Sequence, residues 1–394
     1  MNTLKIMPLC LVLFCRCQKN EDAPPTQTGP VLYWKHDFNT PQLTGSQTPI
    51  LTSSGVLFSL HTDQNSDESL LMLDPETGLT RWTWNQYLNH PTTILAASRQ
   101  EPALYNQDLL FAAGNGLYNI DLSDGHTVLK QPGEFNSAYK QLGASILCTQ
   151  NRLQDTVTQV ALIDMMTGNE RFLYTHHGLN SAFNAISCPT YAFESNGDTS
   201  LYWMYKTYNH QSWKTEASMY ALRLPDRQMR FIKSNISQGS NEYAPLVRDS
   251  LIFVEGYREV LAMNRFTGAE IWRTQTGGVG GRQIQIIDQI LLVSDADHGF
   301  LIGLEPKTGV IRWKTQVYGA CSMPQYMDGV LYTISQENGK LYAIQITDGS
   351  ILWTLESPDL ALHPYATFSY GVGVDPVNRR VFLSSFRAAY CYKI

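Results

Sequence analysis

One thirteen-residue pattern recurs along the chain, and it limits the fold more than any other feature of the sequence. It runs aliphatic–aromatic–aliphatic, an acidic or polar residue, two spacers, Thr/Asp-Gly, three residues and an aromatic. Copies are LLMLDPETGLTRW ending at Trp82, LYNIDLSDGHTVL at Leu129, VALIDMMTGNERF at Phe172, VLAMNRFTGAEIW at Trp272, LIGLEPKTGVIRW at Trp313 and LYAIQITDGSILW at Trp353. A degenerate copy, MYALRLPDRQMRF, ends at Phe231 with Arg227 at the glycine position. The glycine positions 78, 125, 168, 227, 268, 309 and 349 are spaced by 47, 43, 59, 41, 41 and 40 residues. That is the period of a β-propeller blade.

Each copy follows a hairpin partner, clearest in DSLIFVEGYREVLAMN, DQILLVSDADHGFLIGLE and DGVLYTISQENGKLYAIQ, where apolar runs flank a polar turn. Upstream lies a further short strand, expected at Thr48–Ile50, Ala244–Leu246 and Met323–Gln325. Four short strands per unit follow, with helical periodicity nearly absent. Asn378–Ile394 supplies the second and third strands of a blade, and Thr28–Trp34 supplies its missing fourth. Seven internal copies plus this split blade predict an all-β, eight-bladed propeller of four-stranded antiparallel blades, closed by the N-terminal strand so that no open sheet edge is left at the seam. Residues 28–394 then form one domain.

The turn glycines Gly78, Gly125, Gly168, Gly268, Gly309 and Gly349 are expected to supply positive φ, with the preceding acidic residue accepting turn N–H groups. Trp34, Trp82, Trp272, Trp313 and Trp353 hold one repeat position. They are expected to pack between adjacent sheets as a structural girdle, each indole N–H able to reach a neighbouring blade's carbonyl.

Residues 1–17 read as a secretory leader: one early positive charge, then an apolar run from Ile6 to Cys15 too short to span a bilayer. Residues 18–27 turn polar and Pro-rich, the composition of a tether. Cys17 is the better candidate for lipidation, although Phe14-Cys15-Arg16 before it is not the small-residue context such signals prefer; Cys15, cleavage without lipid and an uncleaved anchor are the alternatives. Cys148, Cys188, Cys321 and Cys391 are far apart in apolar contexts and read as buried thiols, with a disulfide or metal site as the alternative.

With 29 Lys plus Arg against 35 Asp plus Glu, the net charge of −6 gives no electrostatic footprint for nucleic acid. HExxH and GxSxG are absent, and Gly277–Gly281 has neither the spacing nor the following helix of a dinucleotide loop. Asp295-Ala296-Asp297 reads as a hairpin tip, since the later glutamate of a calcium loop is missing. No catalytic residue, cofactor or metal site is assigned.

On a propeller, function lies in the loops. The turns joining first to second and third to fourth strands are short. The opposite face, built from inter-blade connections and middle hairpin tips, is irregular and aromatic. It supplies the partner-binding candidates Trp84, Tyr87, His90, His176, His177, Tyr243, Tyr318 and His363, and a lengthened hairpin at Lys206–Ala217 adds Tyr208, His210 and Trp213. Packing among themselves is the competing reading for these side chains. His176 and His177 do not suit a metal, because successive strand side chains point apart.

The DxxTGxxxW pattern behind LYAID-like strands resembles the PQQ-type, quinoprotein-dehydrogenase-like propeller repeat from about Thr28 to Ile394. Within that family, the length, single domain and leader are similar to the propeller lipoproteins of outer-membrane β-barrel assembly. The resemblance implies a non-catalytic, monomeric scaffold in the bacterial cell envelope, held to the outer membrane only by its lipid and binding a protein partner. Two alternatives come with it: a PQQ- and calcium-dependent dehydrogenase-like enzyme, and a glycan-binding surface lipoprotein. Quinone enzymes of the family are longer and many carry an adjacent Cys-Cys pair, which this sequence lacks.

Overall fold

The computed structural model describes residues 29–38, 42–44, 48–62, 68–86, 103–113, 116–132, 139–152, 157–177, 185–209, 214–238, 243–278, 284–364, 366–369 and 371–394. Among them there is no helix. Thirty-four strands form eight antiparallel sheets, which are the eight blades of a propeller ring. In chain order, blades 1 to 7 span 42–84, 103–132, 139–177, 185–238, 246–275, 285–316 and 325–355. Blade 8 is made of Gly373–Asp375, Arg380–Ser384 and Ala388–Lys393, and its outer strand is the N-terminal Val31–Asp37. Val31 pairs with Lys393 and Trp34 with Cys391, closing the ring.

The burial pattern follows a strand's place in its blade. Second and third strands lie between neighbouring sheets and are buried along almost their whole length, as in Ile290–Asp295 and Leu341–Gln345. Fourth strands line the outer rim and alternate, as in Glu270–Gln275, where Trp272 is the buried residue. First strands begin two residues later than the sequence suggests, at Ile50, Leu246 and Gln325. The reason is the proline in each expected strand, Pro49, Pro245 and Pro324, which has no N–H to give a ladder. In blades 1 and 4 the first strand is split into two segments on one partner, Gln42–Thr44 with Ile50–Thr52 and Ala185–Ile186 with Thr190–Phe193.

A seam of tryptophan joins consecutive blades in one rotational sense. Trp34 Nε1 donates to Pro75 O of blade 1 at 3.0 Å, Trp82 to Leu122 O of blade 2 at 3.0 Å, Trp272 to Pro306 O of blade 6 at 2.9 Å and Trp313 to Ile346 O of blade 7 at 2.9 Å. Each indole also covers the next blade's turn glycine. A Cβ on Gly125 would lie 2.7 Å from Trp82, and one on Gly309 would lie 2.5 Å from Trp272, so these sites need glycine for space as well as for φ values of 78° and 71°. Two residues beyond the tryptophan, on the same strand face, a second bond reaches that glycine's carbonyl: Thr274 Oγ1 to Gly309 O at 2.7 Å and Thr315 Oγ1 to Gly349 O at 2.5 Å. Trp353 is half-buried and lies 5.9 Å from the Tyr332 ring. At the degenerate position, Arg227 itself takes φ 54°.

The four cysteines of the described strands and loops are buried free thiols. Burial pushes the Cys391 thiol up to about 12 and raises that of Cys148 still further, so neither carries thiolate at neutral pH.

Candidate functional site

The up-and-down order of each blade gives the ring two faces. One, the turn face, carries the first-to-second and third-to-fourth strand turns. The other, the loop face, carries the middle hairpin tips and the connections between blades. On the turn face the repeat chemistry fixes short, closed turns. Asp74 Oδ1 accepts from the N–H of Glu76 and Thr77 at 2.9 Å each, and Asp164 and Asn264 do the same in blades 3 and 5. The Arg81 guanidinium beside it holds the Asp74 carboxyl down at about 2, helped by those turn N–H groups.

The loop face of blades 5 to 8 presents side chains from an anchored backbone. Tyr318, between blades 6 and 7, has φ 58°; its N–H donates to Gly299 O at 3.0 Å and its carbonyl accepts from Ser335 Oγ at 2.5 Å. Gly299 admits this approach because a Cβ there would sit 2.5 Å from Gly319 N. The Tyr318 ring is left exposed. At the blade 5 tip, Tyr257 N–H donates to Ser237 Oγ at 3.2 Å, and a Cβ on Gly256 would lie 2.2 Å from that oxygen. The exposed Tyr257 ring carries the Arg258 guanidinium at 5.1 Å, and Arg258 reaches Asp297 of the blade 6 tip at 3.7 Å. His298 turns back to the buried Asp295 at 3.0 Å. Leu362 stands exposed in the connection before blade 8, with its N–H on Asp359 O at 3.0 Å.

That connection is pinned by a buried polar cluster. Asp359 accepts from Lys35 Nζ at 2.9 Å and from the Tyr390 hydroxyl at 2.8 Å, and Ser385 Oγ lies 2.9 Å from the same hydroxyl. Burial alone would raise the Asp359 carboxyl, but the Lys35 and Tyr390 bonds leave it below the ordinary aspartate range.

Of the residues expected on this face, Tyr318 is exposed and His363 is half-buried, its ring edge-on to Phe386 at 6.4 Å. Tyr243 is half-buried in the connection before blade 5. Tyr208 lies in the strand Thr199–Asn209, opposite Thr215. With Lys214–Arg223 this strand makes the lengthened hairpin, whose tip residues His210 and Trp213 lie outside the described residues, as do Cys17, Tyr87 and His90.

Two placements differ from expectation. Trp84 is not in a connection: it ends the strand Thr80–Trp84 at 1% exposure, its indole donating to Thr127 Oγ1 at 2.9 Å. It lies two residues after Trp82 and so shares its buried face, and that spacing was the available signal. His176 and His177 belong to the outer strand Glu170–His177 rather than to a connection. His176 is half-buried, its ring 4.0 Å from that of Tyr205 across the blade 3–4 seam, while His177 is exposed. Burial lowers the His176 pKa, and neighbouring His177 adds to this. The exposed Tyr257 and Leu362 were missed by sequence reasoning, since nothing in their local pattern separates them from ordinary loop residues.

Cofactor chemistry needs convergent ligands. Among the described residues the buried carboxylates are Glu255 of blade 5, Asp295 of blade 6, Asp359 in the connection before blade 8 and Asp375 of blade 8; Asp295 pairs with His298, Asp359 with Lys35 and Tyr390, and Asp375 with its own turn. Asp121, Asp124 and His126 bring three metal-type ligand atoms within 4.8 Å, but in the outer turn of blade 2, where Asp121 and Asp124 also accept turn N–H groups.

The family model described as outer membrane protein assembly factor BamB matches residues 211–317 and 256–373. BamB from Moraxella catarrhalis superposes with TM-score 0.58 at 10% identity, covering 92% of this chain and 100% of that one. The computationally designed Ika8 protein gives 0.61 at 10% identity, with the same coverages of 92% and 100%. Quinohemoprotein alcohol dehydrogenase from Comamonas testosteroni gives 0.65 at 10% identity over 92% of this chain and 76% of that one. No curated protein matches the chain in sequence.

Proposed function

We propose that this chain, a PQQ-like β-propeller similar to BamB, is a non-catalytic scaffold of the bacterial cell envelope. In this reading the leader directs it across the inner membrane, Cys17 carries the lipid that holds it at the outer membrane, and the loop face binds a protein partner in outer-membrane protein assembly. The observation that carries the reading is the anchored presentation of Tyr318 and Tyr257. Both rings are exposed on backbone that is hydrogen-bonded and sterically fixed, beside Arg258 and Asp297. Exposed tyrosine and arginine on a rigid frame are what protein interfaces favour, because little side-chain entropy is lost on binding.

The test is chemical crosslinking in envelope membranes followed by recovery of the full chain. The expected product contains a component of the outer-membrane assembly machinery. Tyr257→Ala together with Tyr318→Ala should cut its yield about tenfold or more, as loss of interface anchors worth about 2 kcal/mol would, while the unfolding midpoint stays unchanged. Equal yield from the double variant sinks the assignment to this face.

The likeness to quinohemoprotein alcohol dehydrogenase favours a second reading, a PQQ- and calcium-dependent enzyme. Calorimetric titration with PQQ and calcium separates the two. Saturable micromolar binding with a shifted quinone absorbance would replace the scaffold reading, and flat heats would retain it.

A further inference from the structure

We propose that the turn-face rim of blade 8 rests on the lipid bilayer, so that the loop face points away from the membrane; this rests on the membrane-anchored reading above. The outer strand of blade 8 opens with three exposed apolar residues in a row, Val31 at 62%, Leu32 and Tyr33. Beside them stands Leu79 of the blade 1 turn at 68% exposure. The contact between the two blades is direct, for the Tyr33 hydroxyl donates to Glu76 at 3.2 Å and His36 Nδ1 lies 2.8 Å from Gly78 O. On the other side, Val31 pairs with Lys393 and Lys393 with Arg380, and the turn before Arg380 holds up Val377 at 88% exposure. Apolar side chains this exposed on adjoining strands and turns mark a contact surface.

The local charge fits a bilayer rather than another acidic protein. Turn-face residues elsewhere are largely acidic, with Asp124, Asp164, Asp226 and Asp348 at the corresponding turns. At blade 8 the exposed charges are Arg379 and Lys393, the latter with its ammonium 3.9 Å over the Tyr33 ring. The acidic groups at this rim are paired: Glu76 with Arg380 at 2.7 Å and Asp328 with Arg379 at 3.4 Å. Apolar side chains flanked by Lys and Arg, with an aromatic ring among them, are the composition of a surface that sits at the boundary between headgroups and acyl chains.

The occupant is indicated by where the chain leads. The outer strand of blade 8 begins at Val31, and thirteen residues separate Cys17 from it. Fully extended, that stretch reaches at most about 45 Å. A lipid on Cys17 would therefore join the domain at this rim, where the outer strand of blade 8 begins.

The full chain is reconstituted on phosphatidylethanolamine–phosphatidylglycerol vesicles, with photoreactive benzoylphenylalanine placed at Val377, at Leu79 or, on the loop face, at Leu362. Flotation reports anchoring; mass spectrometry of the irradiated chain reports phospholipid adducts. The expected result is flotation of all three, with adducts at Val377 and Leu79 at least about tenfold above those at Leu362, as for side chains buried about 5–10 Å into the interface. Flotation with equal or no adducts overturns the orientation and leaves anchoring intact. Failure to float overturns both. A protein adduct at Val377 in native membranes, in place of lipid, makes this rim a protein contact and ends the proposal.

Discussion

Gly78 of blade 1 lies flat against the indole of Trp34 of blade 8: a Cβ added to the glycine would fall 2.7 Å from Trp34 Cε3, with φ at 70°. Gly78→Ala therefore meets a strained backbone and a tryptophan held in place by its bond to Pro75 O. We expect a loss of about 2–3 kcal/mol in urea unfolding. Gly143 has φ 61° but nothing within 4 Å of an added Cβ. Gly143→Ala should lose only the conformational part, about 1 kcal/mol. Equal losses at the two sites would remove the packing argument.

Trp313→Phe keeps most of the buried area but removes the donor to Ile346 O. A buried carbonyl left without its partner is worth about 1–3 kcal/mol. The expected outcome is a lower denaturation midpoint with an unchanged slope, read by chemical unfolding.

Acid should weaken the blade turns before it reaches the core. The Asp74 carboxyl, held at about 2 by Arg81 and the turn N–H groups, sits below its ordinary value of 3.8. A depressed folded-state pKa contributes stability that is complete above the unfolded value and fades as pH falls towards about 2. The stability difference between the native chain and Asp74→Asn should thus shrink between pH 5 and pH 2, measured by urea titration at each pH.

His176 acts in a different window. Its pKa is lowered from 6.5 by burial against the aromatic rings of the blade 3–4 seam, so the folded state favours the neutral imidazole. Stability from this site is complete above 6.5 and declines as pH drops below it towards the folded value. His176→Phe should flatten that part of the pH profile. An unchanged slope between pH 7.5 and pH 5 would show that the imidazole titrates freely.

The eight blades could be read from the sequence because a propeller repeats its chemistry. Asp74, Gly78 and Trp82 recur as a set, and each member has a separate physical task that restricts substitution. Strand starts were harder, since Pro49, Pro245 and Pro324 sit beside residues that suit a strand equally well. The loop face was legible only in outline. Tyr318 stands out on it because of a contact with Gly299 made between blades, and Trp84 leaves it because of a bond to Thr127. Neither contact has a signature in local sequence. The alternation that placed Trp82 inward also applied to Trp84, and extending the strand by two residues would have found it.

The pairing of Val31 with Lys393 joins strands separated by nearly the whole chain. During synthesis Val31–Asp37 has no partner until Ala388–Lys393 is made, so the ring stays open, with blade 1 and the unfinished blade 8 each lacking a neighbour. Such long-range closure is slow compared with the local hairpins of blades 2 to 7. The exposed interval is a window in which another strand, from a second copy or a chaperone, can occupy the site of Val31–Asp37.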